Sequence, residues 1–361
     1  MSDRLSRLLD SRPWLLADGA TGTNFFAAGL QSGDAPELWN VDAPEKVTAL
    51  HAGFIEAGAD IILTNSFGGT RYRLQLHQAQ DRVAELNRAA ARLAREAGDS
   101  LGPQQGREIV VAGSMGPTGE IFEPVGALSL EDGTAAFAEQ AQALAEGGAD
   151  VLWIETISSV EELSAAVAGA GTTGLPVVCT LSFDTQGRTM MGVTAGQLAG
   201  LVQELSPSPL AYGGNCGTGA AELMAVMLKM AEARRPDDIL VAKSNCGIPE
   251  FVEGEIRYNG TPELMADYAR LARDCGVRII GGCCGTTATH LAAMHAALEG
   301  YEPGEPPTLE AVVARLGEIS AGAAGRGPLG DRPAGDAEGG RRRRAGRRGG
   351  RRGGDRAPPR F

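Results

Sequence analysis

Eight short apolar runs recur along the chain, each rich in Leu or β-branched residues and each closing on glycine or a small polar residue. They cover 15–22 (LLADGATG), 59–68 (ADIILTNSFG), 109–116 (IVVAGSMG) and 149–156 (ADVLWIET), then 176–183 (PVVCTLSF), 209–217 (PLAYGGNCG), 239–247 (ILVAKSNCG) and 278–285 (RIIGGCCG). Their hydrophobicity is continuous rather than alternating, as expected of parallel strands buried on both faces. Stretches with helical spacing lie between them, at 45–57, 81–97, 133–147, 160–169, 195–204, 221–234, 262–275 and 289–298. Several end in EAGAD, EGGAD or DCGV, a glycine stop that feeds directly into the next strand. Eight strands alternating with eight helices predict an α/β fold of the (β/α)8, or TIM-barrel, class. An open doubly wound sheet shares the alternation, but the first turn, DGATGT, lacks the GxGxxG spacing of a dinucleotide fold.

The barrel is expected over 1–307 and a last short helix over 308–320 (TLEAVVARLGEIS). From Ala321 an Arg/Gly-rich tail has too little apolar content to offset the entropy of ordering, and disorder is expected there. The net charge of −12 is unevenly spread: 326–361 holds 12 Arg against 4 acids, leaving 21 basic and 41 acidic residues in the rest. An acidic body argues against nucleic acid as the main substrate, since phosphate contacts need a basic surface. The tail could contact RNA or anionic surfaces, or serve only as a solubilising extension. With no apolar run of membrane-spanning length and no basic, then apolar, leader at the N-terminus, a cytoplasmic protein is expected. The oligomeric state stays open, and a homo-oligomer is compatible with the sequence.

In such a barrel the strand C-termini carry the chemistry. Here the runs end on Asp18, Asn65–Ser66, Ser114, Glu155–Thr156, Asp184, Asn215–Cys216, Ser244–Asn245–Cys246 and Cys283–Cys284. In a reducing compartment six cysteines read as core fillers, metal ligands or nucleophiles rather than disulfides, and a vicinal 283–284 bridge would be strained. Cys179, mid-strand, and Cys275, in a helix, read as core. Cys216 closes the sixth run and Cys283–Cys284 the eighth, so a single strand separates them and their tips converge. Three thiolates with one vacant corner form the tetrahedral arrangement of a catalytic Zn2+ site. Such a site favours the anion of an incoming thiol, whose ordinary pKa near 8.5 leaves little thiolate at neutral pH. Cys246, in a second NCG on the intervening strand, is a possible fourth or substitute ligand.

DGATGT (18–23), ADIILTNSF (59–67), GSMGPTG (113–119), GGADVLWIET (147–156), GGNCG (213–217) and IIGGCCGTT (279–287) together resemble the homocysteine S-methyltransferase family, over about residues 10–300. That family includes betaine–homocysteine methyltransferase and the homocysteine-binding module of cobalamin-dependent methionine synthase. The resemblance implies a zinc-bearing barrel that methylates the thiol of homocysteine to make methionine, with Cys216, Cys283 and Cys284 as metal ligands. By motif position it places Glu155 and Asp18 at the substrate ammonium, and the backbone around Ser114 or Gly19 at its carboxylate.

No DxHxxG cobalamin-binding pattern occurs, and little chain remains after 320 for a second domain, which favours glycine betaine or a related onium as methyl donor. Aromatic faces would hold such a cation, and Phe25, Phe26, Trp39, Phe67 and Tyr72 are candidates near the mouth. The animal betaine enzymes carry tyrosine after the fourth-strand glutamate, whereas this chain has Thr156, like the cobalamin-type module; GRTMMGVT (187–194) also resembles that module. A corrinoid-carrying partner protein and S-methylmethionine are therefore the alternative methyl sources. A zinc-holding scaffold whose tail recruits RNA is the alternative outside enzymology.

Overall fold

Each of the eight apolar runs contains a parallel strand: β1 (Leu15–Leu16), β2 (Ile61–Leu63), β3 (Val110–Met115), β4 (Val151–Ile157), β5 (Val177–Leu181), β6 (Ala211–Cys216), β7 (Leu240–Ser244) and β10 (Ile279–Gly282). This is a computed structural model and describes residues 3–252 and 255–326. The strands are ordered β1-β10-β7-β6-β5-β4-β3-β2. A bridge between Ala17 and Ile61 joins the two ends of the sheet, with Asp18 N–H donating to Ile61 O at 3.0 Å and Asp60 N–H to Leu16 O at 2.7 Å. The sheet is thus the expected (β/α)8 barrel, and the predicted helices pack around it.

Strand pleating divides the core into two layers. Leu15, Ala17, Ile61, Leu63, Val110 and Trp153 face the barrel interior, while the residues between them, such as Leu16, Ile62, Val111 and Leu152, meet the helices. A helix the apolar runs did not announce, Arg4–Ser11, inserts Leu5 and Leu9 into the interior layer and closes the N-terminal end. Ser129, Ser159, Thr194 and Thr261 cap the helices that lead away from β3, β4, β5 and the segment after β7. Each connection therefore starts its helix cleanly and leaves the preceding strand tip to line the C-terminal face.

Two further differences bear on function. After β7 the chain forms an antiparallel hairpin, β8 (Pro249–Val252) with β9 (Glu255–Tyr258), where no element was expected. The last helix spans Leu309–Leu316, and Ala321–Arg326, at the start of the expected tail, form a turn with Ala323 buried. Ser320 N–H donates to Glu222 Oε1 at 2.5 Å, which ties that turn to the helix after β6. The remainder of the tail, 327–361, with the disorder and RNA contacts expected of it, lies outside the described residues. Among the described residues no helix is long and apolar enough to cross a membrane.

Candidate metal and substrate site

β7 is the one strand between β6 and β10, and the sulfurs of Cys216, Cys283 and Cys284 lie within 4.8 Å of one another. Cys216 Sγ and Cys284 Sγ are 3.9 Å apart. The flanking glycines admit this crowding: a Cβ on Gly213 would stand 1.8 Å from Val241 O, and one on Gly282 2.2 Å from Thr286 Cγ2. Cys216 itself sits in the left-handed region at φ 59°, which turns the chain sharply at the strand tip.

Two asparagines fix this geometry. Asn215 accepts from Thr156 N–H at 2.9 Å and donates to Thr156 Oγ1 at 2.7 Å, holding Thr156 at φ 64°. Asn245 accepts from Cys284 N–H at 3.0 Å and donates to Gly217 O at 2.7 Å, so one amide ties both cysteine loops together. Cys246 donates its N–H to Cys284 O at 2.8 Å, but its side chain belongs to the core between sheet and helices, outside the sulfur cluster. It is buried there because its neighbour Asn245 occupies the site-facing position. Cys179 and Cys275 are core residues, as expected.

As thiols, all three clustered cysteines resist ionisation. Contact with Cys216, then burial, pushes Cys284 up to about 12. Cys216 is raised foremost by its contact with Cys283. For Cys283 the contact with Cys216 favours the thiolate, yet Cys284 and burial outweigh it. Three half-buried sulfurs this close repel as anions and have little packing rationale as thiols; a divalent cation among them removes both problems. The donor set fits Zn2+, with three sulfurs and a side open to the cavity.

Across the barrel mouth stands a charged wall. Glu155, at the tip of β4, accepts from Ser114 Oγ at 2.5 Å. Asp18 Oδ2 accepts from Leu63 N–H at 2.7 Å, and its Oδ1 pairs with Lys243 Nζ at 2.6 Å. Lys243 is only 2% exposed, its ammonium 5.6 Å from the Trp153 ring centroid. Burial raises both carboxylates, and Lys243 opposes the rise in each. Burial pulls Lys243 down, but Asp18 and Glu155 outweigh it and leave the ammonium favoured. Two carboxyls stand against one ammonium, so a further cationic group placed at Glu155 would offset the cost of burying its charged form.

The sequence reading missed Lys243, whose only local sign was a lysine inside the apolar run ILVAKSN. It also missed Tyr258, which the hairpin brings to the cavity beside Cys284. Ser114 stands differently from its expected part: its N–H donates to Thr64 Oγ1 at 2.9 Å and its hydroxyl holds Glu155. Gly19 does line the cavity, and a Cβ there would meet Thr286 O at 2.6 Å.

The three sulfurs, Glu155 and Lys243 line one cavity of about 1240 Å³, whereas Asp18 is buried behind Lys243 and is not among its lining residues. That volume exceeds the roughly 300–1,000 Å³ of an ordinary small-molecule pocket and leaves room for two reactants. Of the five expected aromatic faces, Phe26 and Phe67 line it. Phe25 and Trp39 instead pack on each other at 5.0 Å in a small core beneath the mouth, with Lys46 Nζ 4.2 Å from the Trp39 ring centroid. Tyr72 packs against the main core and lines a separate surface recess. The reason is helical geometry: in Gly22–Ala27 successive side chains diverge by about 100°, so Phe25 turns inward and Phe26 outward.

Residues 15–298 match the family model described as homocysteine S-methyltransferase. The chain belongs to the homocysteine S-methyltransferase family. Methionine synthase of Mycobacterium tuberculosis strain H37Rv is 31% identical over 307 residues, covering 81% of this chain and 25% of that protein. Methionine synthase of Mycobacterium leprae strain TN is 29% identical over the same shares. The chain thus spans about a quarter of the length of these curated relatives. Among solved structures, the metallated form of the homocysteine methyltransferase MmuM from Escherichia coli superposes with a TM-score of 0.67 at 27% identity, covering 81% of this chain and 99% of that one. For a homocysteine S-methyltransferase family member, the sulfur cluster at the barrel mouth lies where the fold's chemistry is expected.

Proposed function

We propose that the protein transfers a methyl group to the sulfur of homocysteine, forming methionine, with Zn2+ held by Cys216, Cys283 and Cys284 and a small onium compound, glycine betaine foremost, as donor. The observation that carries this reading is the pairing of a three-sulfur cluster with the Glu155 carboxyl, beside Lys243, in one cavity. Bound zinc would stabilise the substrate's thiolate at neutral pH.

The protein's own residues do the rest. Glu155, oriented by Ser114, lines the cavity and takes the substrate ammonium, while Asp18, behind the lining, anchors Lys243 beside it. The substrate carboxylate lies against the backbone at Gly19. Held at its amino-acid end, homocysteine presents its sulfur to the cysteine cluster, and its thiol proton leaves through the open mouth. Methyl transfer then forms a carbon–sulfur bond as the donor's carbon–nitrogen or carbon–sulfur bond breaks, its electron pair leaving with the neutral amine or sulfide.

A second reading has its own support. Exposed apolar side chains stand on five loops at the C-terminal face: Phe26, Phe67, Ile121 with Val125, Met190 with Met191, and Ile248. Such a rim suits a protein partner, and a corrinoid-carrying one would bring methylcobalamin to the same sulfur. The relatives named methionine synthase agree with methionine as the product under either reading.

The test is a donor screen on zinc-loaded protein with glycine betaine, dimethylsulfonium compounds, S-methylmethionine and methylcobalamin. Methionine formed from an onium donor supports the first reading, and methionine formed only from methylcobalamin replaces it with the second. Cys283→Ala and Cys284→Ala should each lose both zinc and turnover; stoichiometric zinc with full turnover in either variant refutes the metal assignment.

A further inference from the structure

The cavity carries a second set of charges that homocysteine, held between the sulfurs and Glu155, does not use. Glu37 lies in the short 3-10 turn Pro36–Leu38 and is 5% exposed, yet it lines the cavity. Its Oε1 accepts from Gly68 N–H at 2.6 Å. A Cβ on Gly68 would stand 3.0 Å from that same oxygen, so the glycine makes room for the carboxylate. Among the described residues no basic side chain forms an ion pair with Glu37; Arg73 and His77 act on it only through space. Arg73 also lines the cavity and has no carboxylate partner among the described residues. Burial disfavours the charged form of Glu37 and raises its carboxyl above the ordinary range, a cost that a cation placed against it would offset. Phe26 and Phe67 line the same cavity.

We infer that this wall is the methyl-donor subsite and selects a zwitterionic onium carboxylate: the methyl-bearing cation sits against Glu37, Phe26 and Phe67, and the donor's carboxylate points to Arg73. The inference rests on the onium-donor reading above and names the residues that would make it work. A buried carboxylate without a partner ion is costly, and a bound cation removes that cost. Arg73 nearby disfavours a donor carrying only positive charge and favours one with a carboxylate of its own.

The chemistry also predicts which kinetic constant responds. Thiolate and onium cancel their charges as the methyl group moves, so the cation at Glu37 fades towards the transition state. Glu37 therefore binds the donor at least as well before reaction as during it, and contributes to KM rather than to kcat.

The experiment uses the full chain loaded with zinc, with glycine betaine, dimethylsulfonioacetate, S-methylmethionine and, as a cation without carboxylate, trimethylsulfonium. Glu37→Gln should raise the donor KM about tenfold or more, the scale of one lost charged contact, with kcat and the homocysteine KM nearly unchanged. Arg73→Met should raise KM for the three carboxylate-bearing donors and lower it for trimethylsulfonium, which no longer faces a like charge. If onium donors work but Glu37→Gln leaves their KM alone, the subsite is wrong and the onium reading stands. If the wild-type protein takes methyl only from methylcobalamin, both fall, while homocysteine binding by calorimetry still reports separately on the acceptor side.

Discussion

Lys243 is the most demanding residue in this structure, because a lysine 2% exposed at the centre of a barrel is tolerable only with its partner in place. Replacing it by methionine keeps most of the stem volume and removes the charge. Asp18, 1% exposed, would then keep the Leu63 N–H at 2.7 Å but lose the ammonium at 2.6 Å. Removing one member of such a buried pair costs about 3–5 kcal/mol. Set against a typical total of about 5–15 kcal/mol for a folded domain, that is a large share of the stability. Asp18→Asn together with Lys243→Met replaces the pair by neutral groups and should recover most of the loss, since a buried pair as a whole is worth little. In Lys243→Met the Asp18 carboxyl, already raised by burial, loses the ammonium that opposes the rise and moves further above its unfolded value. The folded state then binds the extra proton, so the deficit should shrink as pH falls through the raised value. Urea unfolding followed by circular dichroism at two pH values measures all three effects. A single variant within about 1 kcal/mol of wild type, or a double variant less stable than the single one, refutes the reasoning.

Glu155→Gln should raise the homocysteine KM about tenfold or more with zinc content unchanged, which metal analysis beside steady-state kinetics will show; loss of zinc would assign Glu155 a metal-site role instead. His51 is buried in the helix Pro44–Glu56, and burial lowers its pKa to about 4. The unfolded chain binds the proton near 6.5, so His51 favours the fold above that pH, and about 3 kcal/mol is lost as pH falls towards 4. His51→Leu should flatten that part of the stability–pH curve, and an unchanged curve would show that His51 does not cause the acid sensitivity.

The barrel was readable because its signals are local. Continuous apolar runs ending in glycine mark buried parallel strands wherever they occur, and each of the eight contains one. The sulfur cluster was readable for a related reason: GGNCG and GGCCG join thiols to the glycines that admit close backbone approach, and strand order alone brings them together. What escaped the sequence depends on partners remote along the chain. Lys243 meets Asp18 across 225 positions. Glu37 matters only because the loop after β2 brings Gly68 to its carboxylate. The aromatic residues show the same limit, since nearness to the mouth in sequence could not tell Phe26, which reaches the cavity, from Phe25, which faces the core. The hairpin Pro249–Tyr258 is too short and too charged to resemble the barrel strands, so Tyr258 stayed out of view beside Cys284.

X-ray absorption at the zinc edge, on the purified protein with and without homocysteine, can count the sulfurs around the metal. Three sulfurs at about 2.3 Å without substrate, rising to four when homocysteine is added, is the result expected if Cys216, Cys283 and Cys284 hold zinc with a corner free for the substrate thiol. A sulfur count that stays at three when homocysteine is bound, or protein that binds homocysteine and turns it over without zinc, would contradict it.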